Sequence, residues 1–461
     1  MYLIIFSFFS LFLLAQLRGL RFCVPSVFRM GTYATIISIM FFTTSCVDKV
    51  AEEDTAVILP PRIEKRVIKE RFADLPFDSE KEIKVALLLP LSGKHKVLGE
   101  MLYDAAQLAL FDHGDPRIVI YPFDTKGSEF TSISVMNEVI AKDIKIIIGP
   151  VFSKIVKAIT PIARKNDMTI FSFSNNFDVA SSDVYVLGLD VRQQVQRVIT
   201  YAIENDIRYF SALLPGNNYG SQVVKELRKV IEMHGGMVLK TEFYIPGSNL
   251  NTNVRRVVKS LVEVPVDKEG QALFQEVKEG ESIPVDEMGE PLFKDIKEFK
   301  TALLVAESSK KLVEIGNLLE RHNFPAKSQL IGLSGWEGNI ALQKEVFAGS
   351  WFTGLPKNNF DIFHDHFDDT YTYMPSRMSA FAYDIVSVIS AIAASGHGES
   401  FKKEAIMNNL GFSGIGGVFR FKDSGVVERL LEVYSVNKGK IKTVDPAEFQ
   451  FVRSVGNMVA D

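Results

Sequence analysis

The sequence predicts an α/β protein built as two similar doubly wound parallel-sheet lobes joined by a hinge. Three observations carry that expectation. From residue 83 to residue 333, short continuous apolar runs alternate with amphipathic stretches. Continuous runs suit strands buried on both faces, and strand–helix alternation specifies a parallel sheet with right-handed crossovers. The alternation runs once, crosses over at 184–189 and starts again. The length, 461 residues, is also more than one core usually holds.

The unit that sets the pattern is 83–111, IKVALLLPLSGKHKVLGEMLYDAAQLALF. It reads as a strand over 85–89, a turn over 90–93 and a helix over 96–111, with Leu98, Leu102, Ala105, Ala106 and Ala109 on one face. Strands are expected over 118–122, 144–148 and 168–172, with helices over 130–141 and from Ser153 to Ala163. After the crossing strand at 184–189 come a helix at 192–204, a strand at 209–214, a helix at 221–234, a strand at 237–244 and a helix at 251–261. Residues 263–298 break the pattern with eleven acidic and four basic residues, three prolines and three glycines. That is an inserted charged loop with room for a small hairpin, expected as a solvated excursion, with a partner-binding arm as the alternative. A strand at 301–306, a helix at 309–321 and a strand at 329–333 resume the alternation. A helix at 341–346, a long apolar helix at 379–395 and a hairpin or short meander over 416–443 complete it. The expected division is lobe 1 from 81–192 and 334–408, and lobe 2 from 193–333 and 409–461.

Net charge is −4, so no basic stripe argues for nucleic acid. Both cysteines, Cys23 and Cys46, precede residue 50, which removes disulfides and thiol chemistry from the folded part. Residues 1–45 look like a targeting segment: an apolar run at 1–17, then Arg18, Arg21 and Arg29, then a second apolar run at 30–45. Residues 46–80, acidic at Glu52, Glu53 and Asp54 and carrying Pro60-Pro61, read as a tether. Thr44-Ser45-Cys46 resembles a bacterial lipobox, which makes Cys46 the candidate for acylation and membrane anchoring. An ordinary signal peptide or an uncleaved anchor is the alternative, and Met30 is a second candidate start.

In order and spacing, 85–93 (VALLLPLSG), 147–153 (IIGPVFS), 170–175 (IFSFSN), Asn218-Tyr219-Gly220 and Ala382-Tyr383-Asp384 resemble the type I periplasmic binding proteins of the leucine-binding branch. The segments 330–336 (LIGLSGW), 348–353 (AGSWFT), 380–384 (AFAYD), 412–431 and 443–446 (TVDP) resemble the penicillin-binding protein activators, LpoA-like lipoproteins on the same fold. The tetratricopeptide-like half of some members has no counterpart here; the tether occupies its place.

The leucine-binding resemblance implies a ligand cleft at the C-terminal ends of the strands, as doubly wound sheets generally provide. The candidate residues it implies are Ser92, Ser153, Ser174, Asn176 and Glu337 on the first lobe as divided above, and Tyr219 and Ser308 on the second, with Glu337 as the acid for an ammonium group. The same small residues also serve tight strand-to-helix turns. Other motifs carry little. Ser92-Gly93-Lys94 lacks the first glycine and the Ser/Thr of a phosphate loop. S-x-x-K at 308–311 has no companion motifs. His364 and His366, two apart on a helix, diverge rather than share a metal. Trp336, Trp351, Phe352, Phe360, Phe363 and Phe367 are expected in core or interlobe packing.

The expectation is therefore a non-catalytic periplasmic lipoprotein, on the outer rather than the inner membrane. Its implied partner is a bifunctional penicillin-binding protein, a peptidoglycan synthase that it stimulates; no cofactor or metal is expected. The alternative is the solute receptor of an ABC importer for a branched-chain amino acid or related small ligand.

Overall fold

The computed structural model describes residues 82–451 apart from 246, 269, 279, 280, 287 and 398–402. The targeting segment, the tether and Cys46 lie outside the described residues.

The first sheet comes from the first run of the alternation. β1 (Ile83–Leu89), α1 (Lys96–His113), β2 (Ile118–Asp124), α2 (Glu129–Ala141), β3 (Ile146–Ile148), α3 (Ser153–Lys165), β4 (Thr169–Ser172) and β5 (Val184–Val186) follow in order. The sheet order is β2-β1-β3-β4-β5, and every pair is parallel. The run Val85–Leu89 is continuous because both faces are covered. Val85, Leu87 and Leu89 enter one apolar cluster, while Ala86 and Leu88 enter the other, against α2 and α3. Where the sequence suggested a crossing strand at 184–189, β5 is the fifth strand of this sheet. The crossing is the short stretch after it.

α4 (Val191–Glu204) opens the second lobe, its first turn capped by the Asp190 side chain accepting from Arg192 N. β6 (Tyr209–Pro215), α5 (Asn218–Met233), β7 (Met237–Tyr244) and α6 (Asn251–Ser260) follow. The charged segment comes next. It holds β8 (Phe274–Gln275) and β9 (Lys294–Asp295), which pair in parallel, and short isolated bridges. Then come β10 (Thr301–Val305), α7 (Lys311–Arg321), β11 (Gln329–Gly332) and β12 (Trp351–Gly354). Two 3-10 turns, Ile340–Gln343 and Glu345–Phe347, stand where a helix was expected.

α8 (Lys357–Tyr371), α9 (Arg377–Ile392), a short α10 (Lys403–Ile406) and β13 (Phe412–Gly414), β14 (Gly417–Phe421) and β15 (Val427–Arg429) return to the first lobe. β16 (Glu432–Asn437) and β17 (Lys440–Asp445) finish in the second. The second sheet reads β17-β16-β12-β11-β10-β6-β7, parallel except where β16 meets β12 and β17.

The borders of the lobes differ from the expected ones. β12 pairs with β11, and Trp336 packs in the second-lobe core, so 334–354 belong to lobe 2 and the chain crosses back after Gly354. Phe419, Phe421 and Val427 join the first-lobe core, with the Phe421 ring 5.7 Å from Phe171 and 5.2 Å from Tyr185. The three-stranded sheet β13–β15 is therefore a first-lobe element, and only β16 and β17 return. The cause is tertiary: β12 is short and pairs with the distant β16, while β13–β15 pair locally but pack their apolar residues on the distant first-lobe core. The chain thus passes between lobes three times, after β5, β12 and β15.

The helical stretch Arg377–Ser395, which is α9 with the turn after it, is long and apolar enough to cross a membrane by length and composition, but it lies largely buried, packed with α1 in the first-lobe core.

Candidate functional site

All seven candidates lie beyond the C-terminal ends of the strands, in the loops or, for Ser153 and Tyr219, in the first turn of the helix that follows. What each side chain can do depends on what already holds it.

Ser92 follows β1. Its hydroxyl donates to Asp124 Oδ2 at 2.5 Å, while the Leu91, Ser92 and Lys126 N–H groups donate to Asp124 Oδ1 at 2.9, 3.2 and 2.8 Å. Burial works to raise the Asp124 pKa, but these four hydrogen bonds outweigh it and hold the carboxyl below its usual range. Ser92 is thus a strut of the loop. Beside it the His95 and Phe152 rings sit 4.7 Å apart over Gly127. Ser153 is the first residue of α3, partly buried. Just before it, Gly149 has φ +92°, and a Cβ there would stand 2.3 Å from the Leu88 carbonyl oxygen, so only glycine lets β3 turn this close to β1.

Ser174 and Asn176 belong to one ladder of local hydrogen bonds. The Ser172 hydroxyl donates to Pro150 O at 2.8 Å and accepts from Ser174 N at 3.1 Å. Ser174 Oγ accepts from Asn176 N at 3.0 Å, and Asn176 Oδ1 accepts from Asp178 N at 3.0 Å, capping the 3-10 turn Phe177–Val179. Ser174 is only 2 % exposed. These are the turn-forming roles that Ser and Asn take locally.

On the second lobe Tyr219 lies in the first turn of α5, behind the Asn217 cap, and is 40 % exposed. Surrounding protein, then the Glu307 carboxylate, push its hydroxyl up to about 12. Glu307, after β10, accepts from the Tyr244 hydroxyl and from the Ser308 and Ser309 N–H groups at 2.9 and 2.7 Å. Burial again opposes, but these hydrogen bonds hold Glu307 below the usual carboxylate range, and Tyr244 is pushed up. Lys311 Nζ lies 5.3 Å from the centre of the Tyr244 ring and has no hydrogen-bond partner among the described residues. The Ser308 side chain packs against Gly335, where a Cβ would meet Ser308 Cβ at 2.3 Å, and its carbonyl accepts from Asn339 Nδ2 at 3.1 Å.

Glu337 follows β11. Both its oxygens accept from Arg377, Oε2 from Nε at 3.1 Å and Oε1 from Nη2. Arg377 opens α9, donates to Pro356 O at 3.1 Å and lies 4.1 Å over the Phe360 ring. This bidentate pair joins a second-lobe loop to a first-lobe helix. Glu337 was expected to be open to an ammonium group; here Arg377 takes both of its oxygens.

Ser174 and Asn176 therefore share one turn, Ser308 shares the Glu307 loop near Tyr219, and Ser92, Ser153 and Glu337 each stand apart. Among the described residues no hydrogen bond joins a first-lobe candidate to a second-lobe candidate. Asp124, Tyr244, Lys311 and Arg377 were not picked out in the sequence. Asp124 and Tyr244 end strands, which is a usable signal; Arg377, forty positions from Glu337, gives none.

His364 pairs with its neighbour Asp365, and His366 reaches Asp112 at 3.0 Å. Among the described residues no group of three or more His, Cys, Asp or Glu is placed to hold a metal ion.

A protein of Rickettsia prowazekii (strain Madrid E), described as uncharacterized protein RP748, is 22 % identical over 369 residues, covering 79 % of this chain and 89 % of that protein. The structure of a putative branched-chain amino acid ABC transporter from Rhodospirillum rubrum is 15 % identical, with a TM-score of 0.64 over 79 % of this chain and 100 % of that one. Full-length LpoA from Haemophilus influenzae is 17 % identical, with a TM-score of 0.56 over 79 % of this chain but 59 % of LpoA. At these identities the solved structures share the fold with this chain. Residues 82–440 match the family model described as periplasmic binding protein, and the chain belongs to that family.

Proposed function

We propose that this protein is a non-catalytic lipoprotein of the cell envelope that binds and stimulates a peptidoglycan synthase, a bifunctional penicillin-binding protein, through a lobe surface. The observation that carries the reading is the state of Glu337. A zwitterionic amino acid needs a carboxylate for its ammonium group, and this one is already held by Arg377 from the other lobe. Ser92, Ser174 and Asn176 are likewise engaged within their own loops. Displacing such partners costs more than a new ligand bond returns. The segments 348–353, 380–384, 412–431 and 443–446 that resemble the penicillin-binding protein activators, and the lipobox-like Cys46 followed by a tether, support the same reading. Acylation of Cys46, with sorting to the periplasmic face of the outer membrane, is part of the proposal.

The alternative is a solute receptor of an ABC importer. Tyr219, standing open at the head of α5, is what favours it. Two measurements separate the readings. Affinity capture from solubilised envelopes is expected to recover a bifunctional penicillin-binding protein; recovery of a transporter permease alone refutes the proposal. A panel of branched-chain amino acids and aromatic carboxylates is expected to leave the melting temperature unmoved. A true cleft ligand at a hundredfold its Kd would add about 2.7 kcal/mol. A shift of that kind, abolished by Tyr219→Ala or Ser174→Ala, would establish the receptor instead.

A further inference from the structure

The charged segment between α6 and β10 is a tandem repeat. The pattern Pro-Val-Asp-x-x-Gly-x-x-Leu-Phe fills 265–274 and returns 19 residues later at 284–293. Both copies fold alike. Val266 bridges Ala272, and Val285 bridges Pro291. Asp267 N donates to Gln271 O and Asp286 N to Glu290 O, each at 2.8 Å; Leu273 N donates to Pro265 O and Leu292 N to Pro284 O, each at 2.9 Å. The turn glycines match too, Gly270 at φ +84° and Gly289 at +85°. The parallel pairing of β8 with β9 joins the chain at the C-terminal ends of the two copies.

The copies differ in what they touch. Phe274 of the first is 3 % exposed, with its ring 5.2 Å from Tyr209 and 5.1 Å from Phe299. In the second copy Val285, Met288 and Leu292 are 57, 89 and 59 % exposed. In the first hairpin Phe274 is buried and Leu273 half-buried, while Val266, at 56 % exposure, matches Val285; the second adds the exposed Met288 and Leu292. Tyr209 and Thr301 are the first residues of β6 and β10, so the arm sits among the N-terminal strand ends, opposite the cleft loops. Four basic and eleven acidic residues give 263–298 a net charge of 4 − 11 = −7.

We propose that the second hairpin is a docking element for a protein whose surface is basic around an apolar pocket, seated by Val285, Met288 and Leu292. Exposed apolar residues ringed by charge mark protein contacts. The arm's charge steers a basic partner and repels acidic ones. A second copy of this chain is a poor occupant, since it brings a like-charged arm on a chain of net charge −4. The proposal rests on the function proposed above and assigns the surface that the synthase meets.

The test uses the full chain and a purified bifunctional penicillin-binding protein, with affinity measured at low and raised salt. The combined variant Val285→Ser, Met288→Ser, Leu292→Ser is expected to raise Kd about tenfold or more with no change in melting temperature. Glu281→Lys with Glu290→Lys is expected to slow association and to flatten the salt dependence seen with the unaltered chain. Wild-type affinity in both variants, with the unaltered chain binding, overturns the docking role and leaves the function standing. No binding by the unaltered chain overturns the function and the docking role with it. Dimerisation of the unaltered chain that the serine variant abolishes would identify a second copy as the occupant, and overturns the proposal.

Discussion

Trp336→Ala is expected to destabilise the protein by about 3–5 kcal/mol, the usual range for removing a buried tryptophan. Trp336 is 0 % exposed, in the second-lobe core. Its ring meets Phe347 edge-on at 5.2 Å and Phe352 at 6.5 Å. Gly332, four residues earlier, yields the space: a Cβ there would fall 2.1 Å from the indole. The indole N–H has no hydrogen-bond partner among the described residues, so the loss is one of packing and volume. Urea unfolding measures it, with the midpoint falling and the slope unchanged. Trp336→Phe should lose clearly less, and a loss under about 1 kcal/mol for the alanine variant would refute the packing account. Gly332→Ala should be costly for the same reason, because the ring has no room to retreat. The segment 330–336, which in sequence resembles an activator signature, is thus explained by the core it builds. Its presence speaks for the fold, and the function has to be argued from surfaces.

The strands of the two central sheets were legible because burial on both faces leaves a continuous apolar run, as in Val85–Leu89 and Thr301–Val305. β12 was not, because four residues give a pattern too few points. The borders of the lobes followed from β12 and from β13–β15; the latter pair locally, but the lobe they pack on is set by tertiary contact. α8 carried a signal: Phe360, Phe363 and Phe367 recur at helical spacing, and Phe363 and Phe367 are buried. The tandem hairpins carried a plainer one, since a comparison of the chain with itself at a separation of 19 exposes them. At the candidate site the residue types and the strand-end positions were readable. Their engagement was not, because Ser92 is held by Asp124 and Glu337 by Arg377, at separations that no local pattern encodes.

Asp384→Ala is expected to cost about 1–3 kcal/mol or more, because it leaves two buried N–H groups without their acceptor and removes the carboxylate whose charge acts on the buried Arg429. Both residues are buried, at 2 and 4 % exposure. Asp384 lies on α9 and accepts from Ile415 N at 2.6 Å and Gly416 N at 3.0 Å, fastening the loop between β13 and β14. Glycine is needed there, since a Cβ on Gly414 would stand 2.4 Å from Asp384 Oδ1. Arg429 ends β15, donates from Nη2 to Leu187 O at 3.1 Å and lies between the Phe381 and Phe419 rings, 4.3 and 4.7 Å from their centres. Leu187 and Arg429 stand at two of the three passages between lobes, so the pair braces the hinge. Burial pushes Asp384 up to about 6, against Arg429 and the two N–H groups, which act to lower it. Burial also lowers Arg429, to about 10, against the pull of Asp384. The sign for Asp384 follows. Its pKa is 3.8 in the absence of the fold, so between about pH 4 and 6 the folded protein holds the extra proton. Its stabilising contribution is complete below that window and is lost as pH rises through 6. Asp115, Asp124, Asp183, Glu307 and Glu428, all lowered, act in the opposite direction and lose their contributions as pH falls. The net profile therefore mixes both signs, and the difference between wild type and Asp384→Asn isolates one of them. Asparagine keeps one of the two oxygens, so one of the Ile415 and Gly416 N–H groups loses its acceptor at every pH, and it cannot titrate. The stability advantage of wild type over Asp384→Asn is expected to shrink between pH 4 and pH 7. An advantage that grows with pH would mean that Arg429 stabilises the carboxylate more than burial penalises it, and would reverse the assignment.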